Sequence, residues 1–305
     1  MSALYARIRP WLSKPLDVQV GRVPPTFGLL GRDGYGAQEV LVGRPLPYGY
    51  LTSLRPDALP ATPADLLVMR GRGWLSSFPL GNAAPDRGLP LVDAEHWDTG
   101  VQVRVGEGRV EWWAALTTGS LANPRVTDDN DGRTLSSRLV VTPHPSLALG
   151  ASVARGAYLS RSLAALLPGG QTPDDYAQQG IGGDVTVEVG RWRVRGEVLR
   201  SRWELPLRST GSTLCLTATA AWTDLRVRVL PGLDLATRVE HLAFGHLGAG
   251  TAAPWEAPVT RVEGGAAAML HRHLRLKFAA QHNRRPLGGR VRRDTLVASQ
   301  LAFWF

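Results

Sequence analysis

Lysine is nearly absent from this chain: of its 35 basic side chains among 305 residues only Lys14 and Lys277 are lysines, the rest arginines. Cysteine is represented by Cys215 alone, so no internal disulfide holds the chain together. No apolar run approaches the roughly 20 residues of a spanning helix, which excludes helical membrane proteins. The N-terminus has no charged region followed by an apolar core. Phenylalanine and tyrosine are scarce, six of each, against ten tryptophans. A transmembrane strand needs only about 9–11 alternating residues, so none of these absences excludes a membrane barrel.

What the chain does have is glycine (34), proline (22) and a formal charge of +9. Such a charge suggests a nucleic-acid partner, but the arginines are spread along the whole chain, commonly with Glu two residues away, rather than gathered in a tail or patch. No nucleic-acid partner is expected.

Two-residue alternation dominates from residue 97 onward. Val101, Val103 and Val105 fall on one face with Gln102 and Arg104 on the other; Val110, Trp112, Ala114 and Leu116 oppose Arg109, Glu111 and Trp113. Further strands are predicted at about 134–142, 146–156, 184–190, 192–204, 213–229, 233–245, 258–269, 272–283 and 294–305. With 3–11 and 16–23 they make thirteen. Helical periodicity is clear only over Pro63 to Met69.

Loop lengths separate a soluble sandwich from a barrel. Connections around 106–108, 142–146, 190–191, 231–234 and 270–271 are short, whereas the alternate ones, 29–96, 119–132, 158–182, 246–257 and 284–293, are mostly long. Short turns on one rim and long loops on the other mark an outer-membrane barrel of antiparallel strands. The fold expected is all-β, a transmembrane barrel filling 1–305 as one domain, located in the outer membrane of a Gram-negative-type bacterium. Barrels of this kind have even strand numbers. Thirteen visible strands, with no export signal, predict a chain truncated at its N-terminus from a protein of about 14–16 strands.

The last residues supply a second indication. Phe305, Phe303, Leu301 and Val297 share one face of a strand ending on an aromatic, as an assembly signal read by the barrel assembly machinery would. Trp112, Trp113, Trp192, Trp203, Trp222 and Trp304 suit an aromatic girdle as a set, with core packing the alternative at each position.

The polar faces predict what lines the lumen. Alternation turns Arg104, Arg109, Arg138, Arg193, Arg195, Arg238, Arg261, Arg275 and Lys277 inward, with Glu111, Glu188, Glu197, Glu240 and Glu263. A basic side chain on the lipid face would cost about 2–4 kcal/mol at mid-bilayer. Pairs such as Arg238 with Glu240 or Arg261 with Glu263 read as wall-stiffening ladders. The remaining surplus of arginine predicts a positive field favouring small anionic solutes, since guanidinium groups chelate phosphate and carboxylate oxygens. The 29–96 insertion is proline-stiffened and apolar around Pro45-Leu46-Pro47-Tyr48-Gly49-Tyr50-Leu51. It is expected to fold into the lumen, with Arg55, Arg70 and Arg72 near a constriction; a lid over the barrel mouth is the alternative.

Gly21-Arg22-Val23-Pro24-Pro25-Thr26-Phe27-Gly28, directly after a strand, resembles a segment of the porins related to the phosphate-selective O and P family. The inward-folding loop, Arg-rich wall and terminal Phe are similar to that family as well. The resemblance implies an outer-membrane diffusion channel with a barrel of up to 16 strands, often a homotrimer. The lysine-rich region on which that family's phosphate specificity also relies has no counterpart here.

Other signals fall short. Thr127 to Gly132 resembles a calcium loop, but Thr127 stands at the first ligand position and Arg138 at the twelfth. His271 and His273 share a strand face without a third metal ligand. Gly180-Ile181-Gly182-Gly183 has no following helix to cradle a phosphate. No cofactor, metal or catalytic residue is expected, and the predicted activity is passive diffusion. The competing readings are a barrel-embedded lipase or protease and a soluble all-β binding module.

Overall fold

Alternating inward and outward side chains build thirteen strands in this computed structural model, which describes residues 4–10, 15–31, 38–69, 88–94, 97–124, 131–247 and 253–304. They are β1 (Leu4–Ile8), β2 (Leu16–Val23), β3 (Asp98–Val105), β4 (Val110–Thr117), β5 (Thr134–His144), β6 (Leu147–Ala157), β7 (Ala177–Val189), β8 (Trp192–Pro206), β9 (Thr213–Leu230), β10 (Leu233–Phe244), β11 (Val259–His271), β12 (Leu274–Leu287) and β13 (Arg290–Phe303). Two short helices, α1 (Leu46–Gly49) and α2 (Pro63–Met69), lie between β2 and β3. The proline that opens α2 has no N–H to leave unsatisfied there. Every strand is hydrogen-bonded antiparallel to its sequence neighbours in one meandering sheet.

Among the described residues β1 pairs only with β2 and β13 only with β12, so the sheet is open between them. Both of these edge strands run from the long-loop rim toward the short-turn rim.

The sheet is inside out. Along β10, Arg238 and Glu240 are 0% and 1% exposed, while Val239 between them is 54% exposed. The same inversion holds for Arg261 and Glu263 around Val262, and for Lys277 and Ala279 around Phe278. Water would reverse this arrangement, because an exposed apolar band of such extent aggregates. Lipid accepts it, because every strand between the edges β1 and β13 satisfies its backbone groups within the sheet. The soluble binding module is therefore set aside.

Three stretches differ from the sequence reading. β7 begins at Ala177 rather than near 184, because Gly180 and Gly182, which read as loop, continue the ladder opposite β6 and β8. The segment 284–293, read as a long loop, is a tight hairpin closed by Gly288 and Gly289, both at positive φ (56° and 77°), with Arg284 paired to Arg293 and Arg285 to Arg292. Residues 207–212 form a further connection on the long-loop rim. That rim therefore carries two short connections among its longer ones.

Candidate lumen and its inserted segment

Most of the side chains predicted to turn inward fall into paired clusters on the inner face. Arg138 donates to Asp184 at 2.6 and 2.9 Å and to Ser152 Oγ at 2.9 Å. Arg195 bridges Asp224 at 2.5 Å and Glu39 of the inserted segment at 2.8 and 2.9 Å, and Arg193 lies 3.5 Å from the same Glu39. Arg238 donates to Glu240 at 2.9 Å and also to Glu263. Arg261 donates to Asn283 at 2.8 Å and sits 3.8 Å from Glu240. Arg275 reaches Asp234 at 2.7 Å, an acid it shares with Arg226. Arg104 pairs with Glu111 at 2.8 Å, both partly exposed. Lys277 is buried, in register with Ala267 and Gln300. Arg109 and Glu188 are exposed near the short turns.

The acids among these clusters correct the sequence count of charge. Asp184, Asp224, Asp234 and Glu39 did not enter it, although Asp224 and Asp234 alternate inward on the same strands as the arginines they neutralise. Among the described residues seven basic and eight acidic side chains are buried. Burying a charge demands a partner, and the wall supplies carboxylates nearly one for one.

The described part of the inserted segment is tied to this wall from within. Leu29 N–H and the Tyr48 hydroxyl donate to Glu197, the former at 2.7 Å. Gly43 N–H donates to Glu263 at 3.0 Å and Leu46 N–H to Glu240, while the carbonyls of Gly43 and Arg44 accept from Arg238 and Arg261 at 2.6 and 3.0 Å. Ser53 binds Glu256 through both its N–H and its hydroxyl. Apolar residues of the segment, among them Phe27, Leu46, Tyr50 and Leu54, join Trp203, Leu216, Phe244 and Trp255 in one buried core. Burial raises the Glu39 carboxyl, but the charge of Arg195 and its hydrogen bonds outweigh this and hold it below the usual carboxylate range.

Residues 55–69 lie elsewhere, on the long-loop rim. Pro60 and Ala61 carbonyls accept from the N–H groups of Arg208 and Ser209 on the β8–β9 connection. Arg55 pairs with Asp57 at 3.0 Å beside a cavity of about 360 Å³ that Leu205 and Arg208 also line. Arg70 and Arg72 lie outside the described residues.

No family model and no curated protein matches the sequence. Among solved structures, a porin refined at 1.8 Å resolution aligns with a TM-score of 0.50 and 13% identity over 95% of this chain and 78% of that one. OmpT of Vibrio cholerae aligns with a TM-score of 0.53 and 12% identity over 95% and 77% of the two chains. A variant of that protein lacking its loop L8 gives 0.54 and 13% over 95% and 76%. The chain has the fold of an outer-membrane β-barrel. The exposed apolar band of the barrel agrees, and its location is the outer membrane.

Within this barrel the predicted aromatic girdle divides in two. Trp112 and Trp192 face outward, whereas Trp113, Trp203 and Trp222 are buried on the inner face, Trp203 in edge contact with Trp255 at 6.0 Å. Of the proposed assembly signal, Phe303 and Leu301 are exposed on the outer face, and Phe305 lies outside the described residues. The glycines of β7 have a role that sequence spacing did not reveal. They make room for side chains packed on the inner face, since a Cβ on Gly180 would lie 2.6 Å from Leu121 and 3.2 Å from the Phe27 ring, and one on Gly182 would fall on Leu199.

Proposed function

We propose that the chain is a passive outer-membrane diffusion channel. Solutes diffuse through the barrel, no bond is made or broken, and the inserted segment within 29–96 folds into the lumen and narrows it. The observation that carries this reading is the set of bonds from residues 29–54 to the inward carboxylates Glu197, Glu240 and Glu263. A lid resting on the mouth would have no reason to reach these groups. The rim position of Arg55 moves the narrowing away from that residue and onto 38–54 and the wall it faces.

The pairing of wall charges supports only a modest selectivity. Arg193, Arg226, Arg228 and Arg275 gather toward the short-turn rim with Glu39 and Asp234 as their near acids, and this local excess is proposed to favour small anions. The Gly21 to Gly28 segment, which resembles the phosphate-selective porins, contributes Phe27 to the buried core. The remaining partners proposed are outer-membrane lipid, an assembly machinery reading Leu301, Phe303 and Phe305, and further copies in a homotrimer.

Planar-bilayer recording of the complete protein in a salt gradient tests the reading. A reversal potential of anion sign is expected; a cation-selective conductance would overturn the role given to the arginines, and absence of conductance would overturn the channel itself.

A further inference from the structure

The outward face is apolar through the middle of the sheet, yet arginines appear on it toward one rim. Arg155 on β6, Arg200 and Arg202 on β8, Arg284 on β12 and Arg293 on β13 are all exposed, each in the half of its strand nearer the long-loop rim. None of the five forms an ion pair among the described residues. Charge on a lipid-facing strand is tolerated only near the interface, so these residues mark the headgroup level on that side.

Arg284 and Arg293 stand directly opposite each other in register. Like charges so placed repel, and the one acid of this hairpin, Asp294, does not relieve them, because it alternates to the inner face and binds Arg292 at 3.0 Å. Around the pair, His241 Nδ1 contacts Thr260 Oγ1 at 3.0 Å and His282 Nδ1 contacts Thr295 Oγ1 at 2.9 Å; Thr260 is itself the register partner of Arg284. Among the described residues of β10 to β13 the outer face carries no carboxylate. It offers two guanidinium groups beside imidazoles and hydroxyls, and nothing negative.

We infer that the outer face of β12 and β13 at the long-loop rim binds a phosphorylated glycolipid of the outer leaflet, with Arg284 and Arg293 sharing one phosphate. A phosphate accepts from two guanidinium groups at once and removes the repulsion between them. The hydroxyl and imidazole groups beside it suit the sugar that carries the phosphate. The inference needs the long-loop rim to face outward and does not depend on channel activity.

The test uses the complete protein in nanodiscs and native mass spectrometry to count retained lipid. The probes are bisphosphorylated lipid A, the same lipid A after removal of its phosphates, and phosphatidylglycerol. Wild type is expected to retain the bisphosphorylated form about tenfold better than either other lipid, and R284Q/R293Q to lose about that factor. Equal retention by R284Q/R293Q overturns the site, equal retention of the dephosphorylated form overturns the role of phosphate, and equal retention of phosphatidylglycerol overturns the glycolipid. Heat-modified electrophoretic mobility verifies folding. Should the double variant not fold, R284Q and R293Q are read singly, each with an expected loss of about threefold, and no loss in either overturns the proposal.

Discussion

The hydroxyl of Tyr48 donates to the carboxylate of Glu197, 2.8 and 2.7 Å from its two oxygens, joining the inserted segment to the barrel wall. Trp222 Nε1 donates to the same carboxylate at 2.8 Å and Leu29 N–H at 2.7 Å. Burial, reinforced by the Glu197 charge, pushes the Tyr48 phenol well above its ordinary value, so it stays a donor into strongly alkaline solution. Tyr48→Phe leaves the carboxylate short of a partner in a site water does not reach. A loss of about 1–3 kcal/mol in unfolding free energy is expected. Denaturant titration in lipid vesicles measures it, and an unchanged midpoint would mean that this bond holds nothing in place.

Gly28 sits beside that contact in a left-handed conformation, φ 72°, and a Cβ there would fall on the Tyr48 hydroxyl and 2.9 Å from Glu197. Gly28→Ala combines backbone strain with displacement of the contact, so the loss expected exceeds about 1 kcal/mol. The same substitution at Gly169, where a Cβ meets nothing within 4 Å and φ is not positive, is the control and is expected to be silent in the same titration.

Glu39 gives the segment a dependence on acid. Its carboxyl lies below the ordinary value near about 4.3 because Arg195 faces it. A group depressed by folding contributes fully above the unfolded value, and that contribution is lost as pH falls through the folded value. Protease sensitivity of the segment is therefore expected to stay constant from neutral pH down to the ordinary carboxylate range and to rise below it. Glu39→Gln is expected to show the raised sensitivity already at pH 7.

The outward band predicts opposite tolerances at neighbouring positions. Val239→Arg places a charge in lipid between Arg238 and Glu240, which face the interior, and a loss of about 2–4 kcal/mol in folding into vesicles is expected. Thr295→Arg, close to the Arg284–Arg293 level, is expected to cost less than about 1 kcal/mol. Equal losses at the two positions would contradict the assignment of membrane depth.

Much of this barrel was legible from alternation alone, because strands with one polar and one apolar face keep period two from end to end. Sequence signals mislead where a residue's usual meaning is overridden by what it packs against. Gly180 and Gly182 signal a loop and instead lie in β7, where they make room for Leu121, Phe27 and Leu199. The run Arg284-Arg285-Pro286 signalled a loop and instead continues β12 to its hairpin. Spacing turns the arginines to the inner face but does not reveal the acids that neutralise them. Asp184 stands in a glycine-rich stretch read as the strand's start, and Glu39 comes from a segment with no periodicity at all. Long-range partners of this kind, such as Arg195 with Glu39 across 156 positions, leave no spacing to read.

The central claim is that the segment tied to Glu197, Glu240 and Glu263 narrows the lumen. Single-channel conductance of the complete protein, measured with residues 38–54 intact and then replaced by a short Gly-Ser linker, tests it most directly. A severalfold rise in conductance is expected on replacement, with the sign of the reversal potential kept by Arg193, Arg226 and Arg228. An unchanged conductance in a correctly folded barrel would contradict it.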